Sequence, residues 1–74
     1  MVGEPVETCR VDGIWRNSIG RGGPVLGEYS DREAAMAAAR VEARVRGVQH
    51  VVRDHDGAVI ERNRYPRRSE EIPG

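Results

Sequence analysis

The 74-residue chain reads as an α+β domain of two layers, a mostly antiparallel sheet with one helix packed across a face, in the chain order β-β-β-α-β-β. Three observations predict it. Two Asp-Gly pairs, Asp12-Gly13 and Asp56-Gly57, each separate short runs of strand character. Between them one alanine-rich run carries a capping signature before it and a glycine after it. The length completes the reading, because a folded chain of this mass buries about three-fifths of its extended surface. That supports one thin core and excludes a second domain.

Residues 1–5 read as a flexible N-terminus. Val6 to Val11 and Ile14 to Ile19 form the first hairpin, joined at Asp12-Gly13; Asp-Gly suits a type I′ turn, whose two central residues need positive φ. Gly20-Arg21-Gly22-Gly23-Pro24 is a turn into a short third strand, Val25 to Glu28, and Pro24 suits the start of a strand. The helix follows. Ser30-Asp31-Arg32-Glu33 matches the S-x-x-E capping box, in which the serine hydroxyl accepts from the third helical amide and Glu33 reaches back. Asp31 and Glu33 set negative charge at the positive end of the helix dipole, Arg44 and Arg46 set positive charge at the other, and Gly47 is the expected left-handed stop. On a helical wheel Ala34, Ala37, Ala38, Val41 and Val45 fall on one stripe, flanked by Arg40 and Arg44 on one side and Glu42 and Arg46 on the other. That stripe is expected to face the sheet.

The second hairpin joins Val48 to Arg53 with Ala58 to Asn63. The expected core is Val11, Trp15, Val25, Tyr29, Ala34, Ala38, Val41, Val45, Val51 and Ile60. One helix leaves part of a five-stranded sheet uncovered, so that face either is polar, carrying Arg10, Arg16, Arg53 and Arg62, or is covered by a second copy. Residues 6–66 form the single domain and 67–74 read as a disordered tail of almost no apolar content.

Twelve Arg and no Lys balance twelve Asp plus Glu. The balance is uneven along the chain: −2 up to Asp31, +3 from Arg32 to Arg53, and −1 thereafter. Neutrality argues against a domain held on nucleic acid mainly by phosphate neutralisation. If phosphate is bound, the candidate residues are Arg40, Arg44 and Arg46 on the helix, with Arg62, Arg64, Arg67 and Arg68 around Tyr65. The longest apolar stretch, Ala34 to Ala39, is far short of a membrane span. Met1 to Pro5 has no basic stretch followed by an apolar one, so no export signal and a cytoplasmic location are expected.

Chemistry-bearing residues are sparse. Cys9 is the one cysteine, which leaves no intrachain disulfide and no cysteine-based zinc cage. His55 sits in an Asp54-His55-Asp56-Gly57 turn, whose adjacent side chains diverge; His50 lies on a strand and reads as packed. The Gly20 to Gly23 turn precedes a strand rather than a helix and lacks the spacing of a phosphate loop. No catalytic, cofactor-binding or metal-ligating set is identified. The expectation is a protein that is not an enzyme, with no cofactor and no small-molecule substrate.

The run Trp15 to Pro66 resembles a family of short bacterial proteins of unknown function. The resemblance rests on Asp12-Gly13-Ile14-Trp15, on the Ser30-Asp31-Arg32-Glu33-Ala34 helix start with Ala37-Ala38, on Gly47, and on Asp56-Gly57-Ala58-Val59-Ile60 followed by Tyr65-Pro66. It implies a fold and a bacterial cytoplasmic home, and no activity. A weaker likeness, carried by Leu26-Gly27-Glu28-Tyr29-Ser30 before the helix, is to three-stranded-sheet DNA-binding modules of plant transcription factors and phage-type integrases, where Arg10, Trp15, Arg16 and Arg21 would face the groove. The first 31 residues carry three Arg against five acids, the wrong sign for such a reader. The leading expectation is an interaction module acting through a protein partner or through self-association by the open sheet face or an edge strand. Nucleic-acid binding through the arginines is the alternative.

Overall fold

The computed structural model describes residues 3–65. The chain forms β1 (Val6–Val11), β2 (Ile14–Ile19), β3 (Val25–Tyr29), α1 (Arg32–Arg46), β4 (Gln49–Arg53) and β5 (Val59–Arg64). The five strands make one sheet in the order β3-β2-β1-β4-β5. Three neighbouring pairs are antiparallel, but β1 and β4 run parallel, with Val6 beside His50 and Thr8 beside Val52. The sheet is therefore mixed. A parallel neighbour cannot be reached by a tight turn, and α1 supplies the crossover.

The first hairpin follows its sequence signal: Asp12 and Gly13 both take positive φ, 51° and 79°. The second does not close at Asp56-Gly57 as a two-residue turn. Asp54 organises it, its Oδ1 accepting from the amides of Asp56 and Ala58 at 2.9 and 3.0 Å, and only Gly57 is left-handed. The side chain of Asp54 captures the backbone before an Asp-Gly turn can form.

Helix α1 starts one residue later than its capping box places it. Asp31, not Ser30, is the N-cap, its Oδ2 accepting from the Ala34 amide at 3.0 Å, and this carboxylate also meets the positive end of the dipole. Gly47 ends the helix in the left-handed conformation with its amide on the Ala43 and Arg44 carbonyls.

The helix is turned away from the expected face. Ala35, Met36, Ala39 and Ala43 are buried, whereas Val41 and Val45 are 61% and 77% exposed and Ala34 also lies on the outside. Alanines let the helix axis come close to the sheet, close enough for the Asn17 amide on β2 to donate to the Ala35 carbonyl at 2.8 Å. Valines on that side would hold the two layers apart. The core is accordingly Val6, Val48 and Val52 with the alanine stripe, and Ile19, Leu26 and Tyr65 pack at its rim. Each fully buried valine contributes about 1.5–3 kcal/mol. Of the expected core residues Val51 is buried, while Val11, Trp15, Tyr29 and Ala38 are only partly so. Val25 and Ile60 are exposed, because β3 and β5 are the edge strands.

Candidate interaction surfaces

Alternation along the strands assigns each side chain to one of two faces. Val6, Thr8, Asn17, His50 and Val52 point toward α1; Glu7, Cys9, Arg16, Ser18, Val51, Arg53, Arg62 and Arg64 point to the other side. Arg10 pairs with Trp15 and so belongs to the helix side, where its guanidinium and that of Arg32 each lie 5.9 Å from the Trp15 ring. The open face is mixed rather than polar: Arg16, Arg53, Arg62 and Arg64 share it with Val11, Ile14, Val25, Val51 and Val59, of which Ile14, Val25 and Val59 are exposed, and Arg10 is not on it.

The polar residues of the open face are largely paired. Arg16 meets Glu28 at 2.7 Å, Arg53 donates to Glu7 at 2.6 Å, and Arg62 donates to Gln49 at 3.2 Å. Glu7 is buried despite facing away from the helix. Two turns explain this. The β2–β3 turn brings Arg21 over the face, and the β4–β5 turn curls toward it, with Arg53 donating to the Gly57 carbonyl at 2.8 Å. A Cβ at residue 57 would stand 3.0 Å from the Arg21 guanidinium, so glycine there permits both the left-handed backbone and the close approach. Between the turns lies a cleft of about 200 Å³ lined by Glu7, Cys9, Ser18, Arg21, Arg53 and His55, among others. Small-molecule sites run from about 300 Å³ upward. His55 is an exposed turn residue 3.5 Å from Asp56, and Cys9 is half buried.

A polar seam runs under the helix. Asn17 is oriented by its bond to the Ala35 carbonyl, so its Oδ1 faces Thr8 Oγ1 at 2.6 Å and can only accept. The single hydroxyl proton of Thr8 goes there. His50 Nε2, 2.7 Å from the same oxygen, must then carry the other proton and donate, which leaves Nδ1 bare. Nδ1 is buried and has no hydrogen-bond partner. Burial holds the His50 imidazole below its ordinary range; Glu61 pulls the other way and Arg40 pushes in the same direction. His50 is thus a packed, neutral histidine that braces β4, β1, β2 and α1 together.

The arginines proposed for phosphate are not brought together. Arg40, Arg44 and Arg46 belong to the helix layer, and Arg46 is engaged by Glu42 at 3.0 Å. Arg62 and Arg64 rise from the opposite side of the sheet. Arg67 and Arg68, like the rest of the expected tail, lie outside the described residues. What sequence reasoning missed is the outer stripe of α1 as a surface. Its signal was present: a helix with two apolar stripes, of which only one can meet a single sheet.

Residues 8–65 match the model of a family described as an uncharacterized protein conserved in bacteria (DUF2188). The chain belongs to this family. The matched region of the DUF2188 domain begins within β1 and ends at Tyr65, so it holds the whole helix, the polar seam and both Asp-Gly turns. The resemblance to short bacterial proteins of unknown function is borne out. No curated protein and no solved structure matches the chain. No helix among the described residues is long and apolar enough to cross a membrane.

Proposed function

We propose that this chain is a non-enzymatic, self-associating interaction module of the bacterial cytoplasm. One observation carries the reading: the outer stripe of α1 sets Val41 and Val45 in solvent, 61% and 77% exposed, more than the exposed Ile14, Val25, Val59 and Ile60 of the strands. Exposed apolar side chains grouped on one element mark a contact surface. On the open face the exposed Ile14, Val25 and Val59 are set among the paired arginines Arg16, Arg53 and Arg62, whereas the α1 stripe carries no charge, which supports association through the helix. The cleft, at about 200 Å³, is smaller than the usual small-molecule site, which supports a role without catalysis. Static light scattering across a concentration series up to tens of micromolar tests it. A mass that climbs from one chain toward two is the expected result; a strict monomer throughout sinks the reading.

The second reading, nucleic-acid binding, draws on the grouping of Arg16, Arg53, Arg62 and Arg64 on the open face. Two of the four are held by carboxylates, which lowers the field they present. Titration with duplex DNA and with RNA at low salt, followed by amide shifts, decides it. The phosphate contribution is strongest there, so unmoved arginine strands would remove this reading.

A further inference from the structure

Helix α1 is apolar on two sides and charged along its flanks. Ala35, Ala39 and Ala43 meet the sheet. Ala34, Ala38, Val41 and Val45 lie roughly 130° around the helix from them, and the two valines stand in solvent. Glu33, Arg40 and Arg44 occupy one flank; Glu42 and Arg46 occupy the other. A helix built this way suits a place between two apolar layers, and the sheet supplies only one.

We propose, building on the reading of the chain as a self-associating module, that the second layer is α1 of another copy, packed antiparallel about a two-fold axis. The spacing of residues 34, 38, 41 and 45 alternates four and three, the seam of a packed helix pair. Reversing one helix sets Ala34 against Val45 of the second copy and Ala38 against its Val41. Every small side chain meets a large one, and the layers fill evenly. A parallel pair would stack alanine on alanine at one end and valine on valine at the other, leaving a gap and a crowd. Charge selects the same direction. The first turn is acidic, with Asp31 and Glu33, and the last is basic, with Arg44 and Arg46. The antiparallel pair brings unlike charges and unlike dipole ends together at both ends of the contact.

Disulfide trapping tests the seam. In a Cys9→Ser background, Ala34→Cys protein is mixed with isotope-labelled Val45→Cys protein, oxidised mildly, and the products are counted by mass. Light scattering is read on the same mixture before oxidation. The expected product is the mixed 34–45 disulfide, at least tenfold over either homodisulfide, since like positions lie about 16 Å apart along the axis of an antiparallel pair. A dimer by scattering that yields homodisulfides equally or faster overturns the antiparallel seam and leaves self-association standing. A monomer by scattering overturns both. In parallel, Val45→Asp is expected to raise the dimer Kd at least tenfold with the amide spectrum of the fold retained; an unchanged Kd places the contact elsewhere and overturns the inference.

Discussion

At the scale of single residues the sharpest consequence belongs to His50. Its folded form resists protonation because a proton on Nδ1 would be buried without an acceptor. The unfolded chain has no such restriction and titrates near 6.5. As pH falls through that value the unfolded state takes up a proton that the folded state refuses, so stability is fully present above it and declines below it, toward the lower folded value. Urea midpoints measured between about pH 7.5 and pH 5.5 should therefore fall for the native chain and fall less for His50→Gln. Equal slopes would show that His50 does not carry the effect. Thr8→Val tests the same seam without a titration: it removes the donor to Asn17 and the acceptor for His50 Nε2 at once, at an expected cost of about 1–3 kcal/mol. The position of His50 on a strand was legible in the sequence. Its partners were not, because Thr8 and Asn17 are 42 and 33 positions away and reach it only through the sheet register.

At the scale of elements, the ends of α1 were legible and its orientation was not. Caps act through neighbours in sequence, so Asp31 and Gly47 announce themselves within one residue. The inward face is chosen by the distance between two layers, and periodicity alone favoured the bulkier stripe. The consequence is an inverted sensitivity along the helix. Ala39→Leu should cost about 1–3 kcal/mol by lifting α1 off the sheet, straining the Asn17 to Ala35 bond as it does so. Val41→Ala should change the stability of dilute, monomeric protein by no more than about 0.5 kcal/mol. Denaturant titration checks both, and the reverse order would mean that the alanine stripe does not bear the packing. The hairpins divide the same way. Asp12-Gly13 acts alone, whereas Asp56-Gly57 was overruled by Asp54 two positions earlier.

At the scale of the whole molecule, the strand order sets where the structure is firmest. β1 is bonded on both sides and β4 lies between β1 and β5, while β3 and β5 have one neighbour each. Amide exchange should be slowest in β1 and β4 and fastest in β3 and β5; edge amides protected as well as those of β1 would contradict this order. The fold class and the chain order of elements were readable from turns and periodicity. The parallel β1–β4 pairing was not, since it joins segments more than forty residues apart with no local signal. The composition of the sheet margins has one more effect. β5 presents Glu61, Arg62, Asn63 and Arg64 in succession, and β3 follows Pro24 and pairs through a bulge at Asn17 and Ser18. These charges and the bulge oppose strand addition from a neighbouring molecule at margins that also expose Val25, Val59 and Ile60. A rotational helix contact uses up its own surface when it forms. On the proposed α1 pairing, crowding this chain is expected to end in a species of fixed size rather than in fibrils, although ten of its residues are valine.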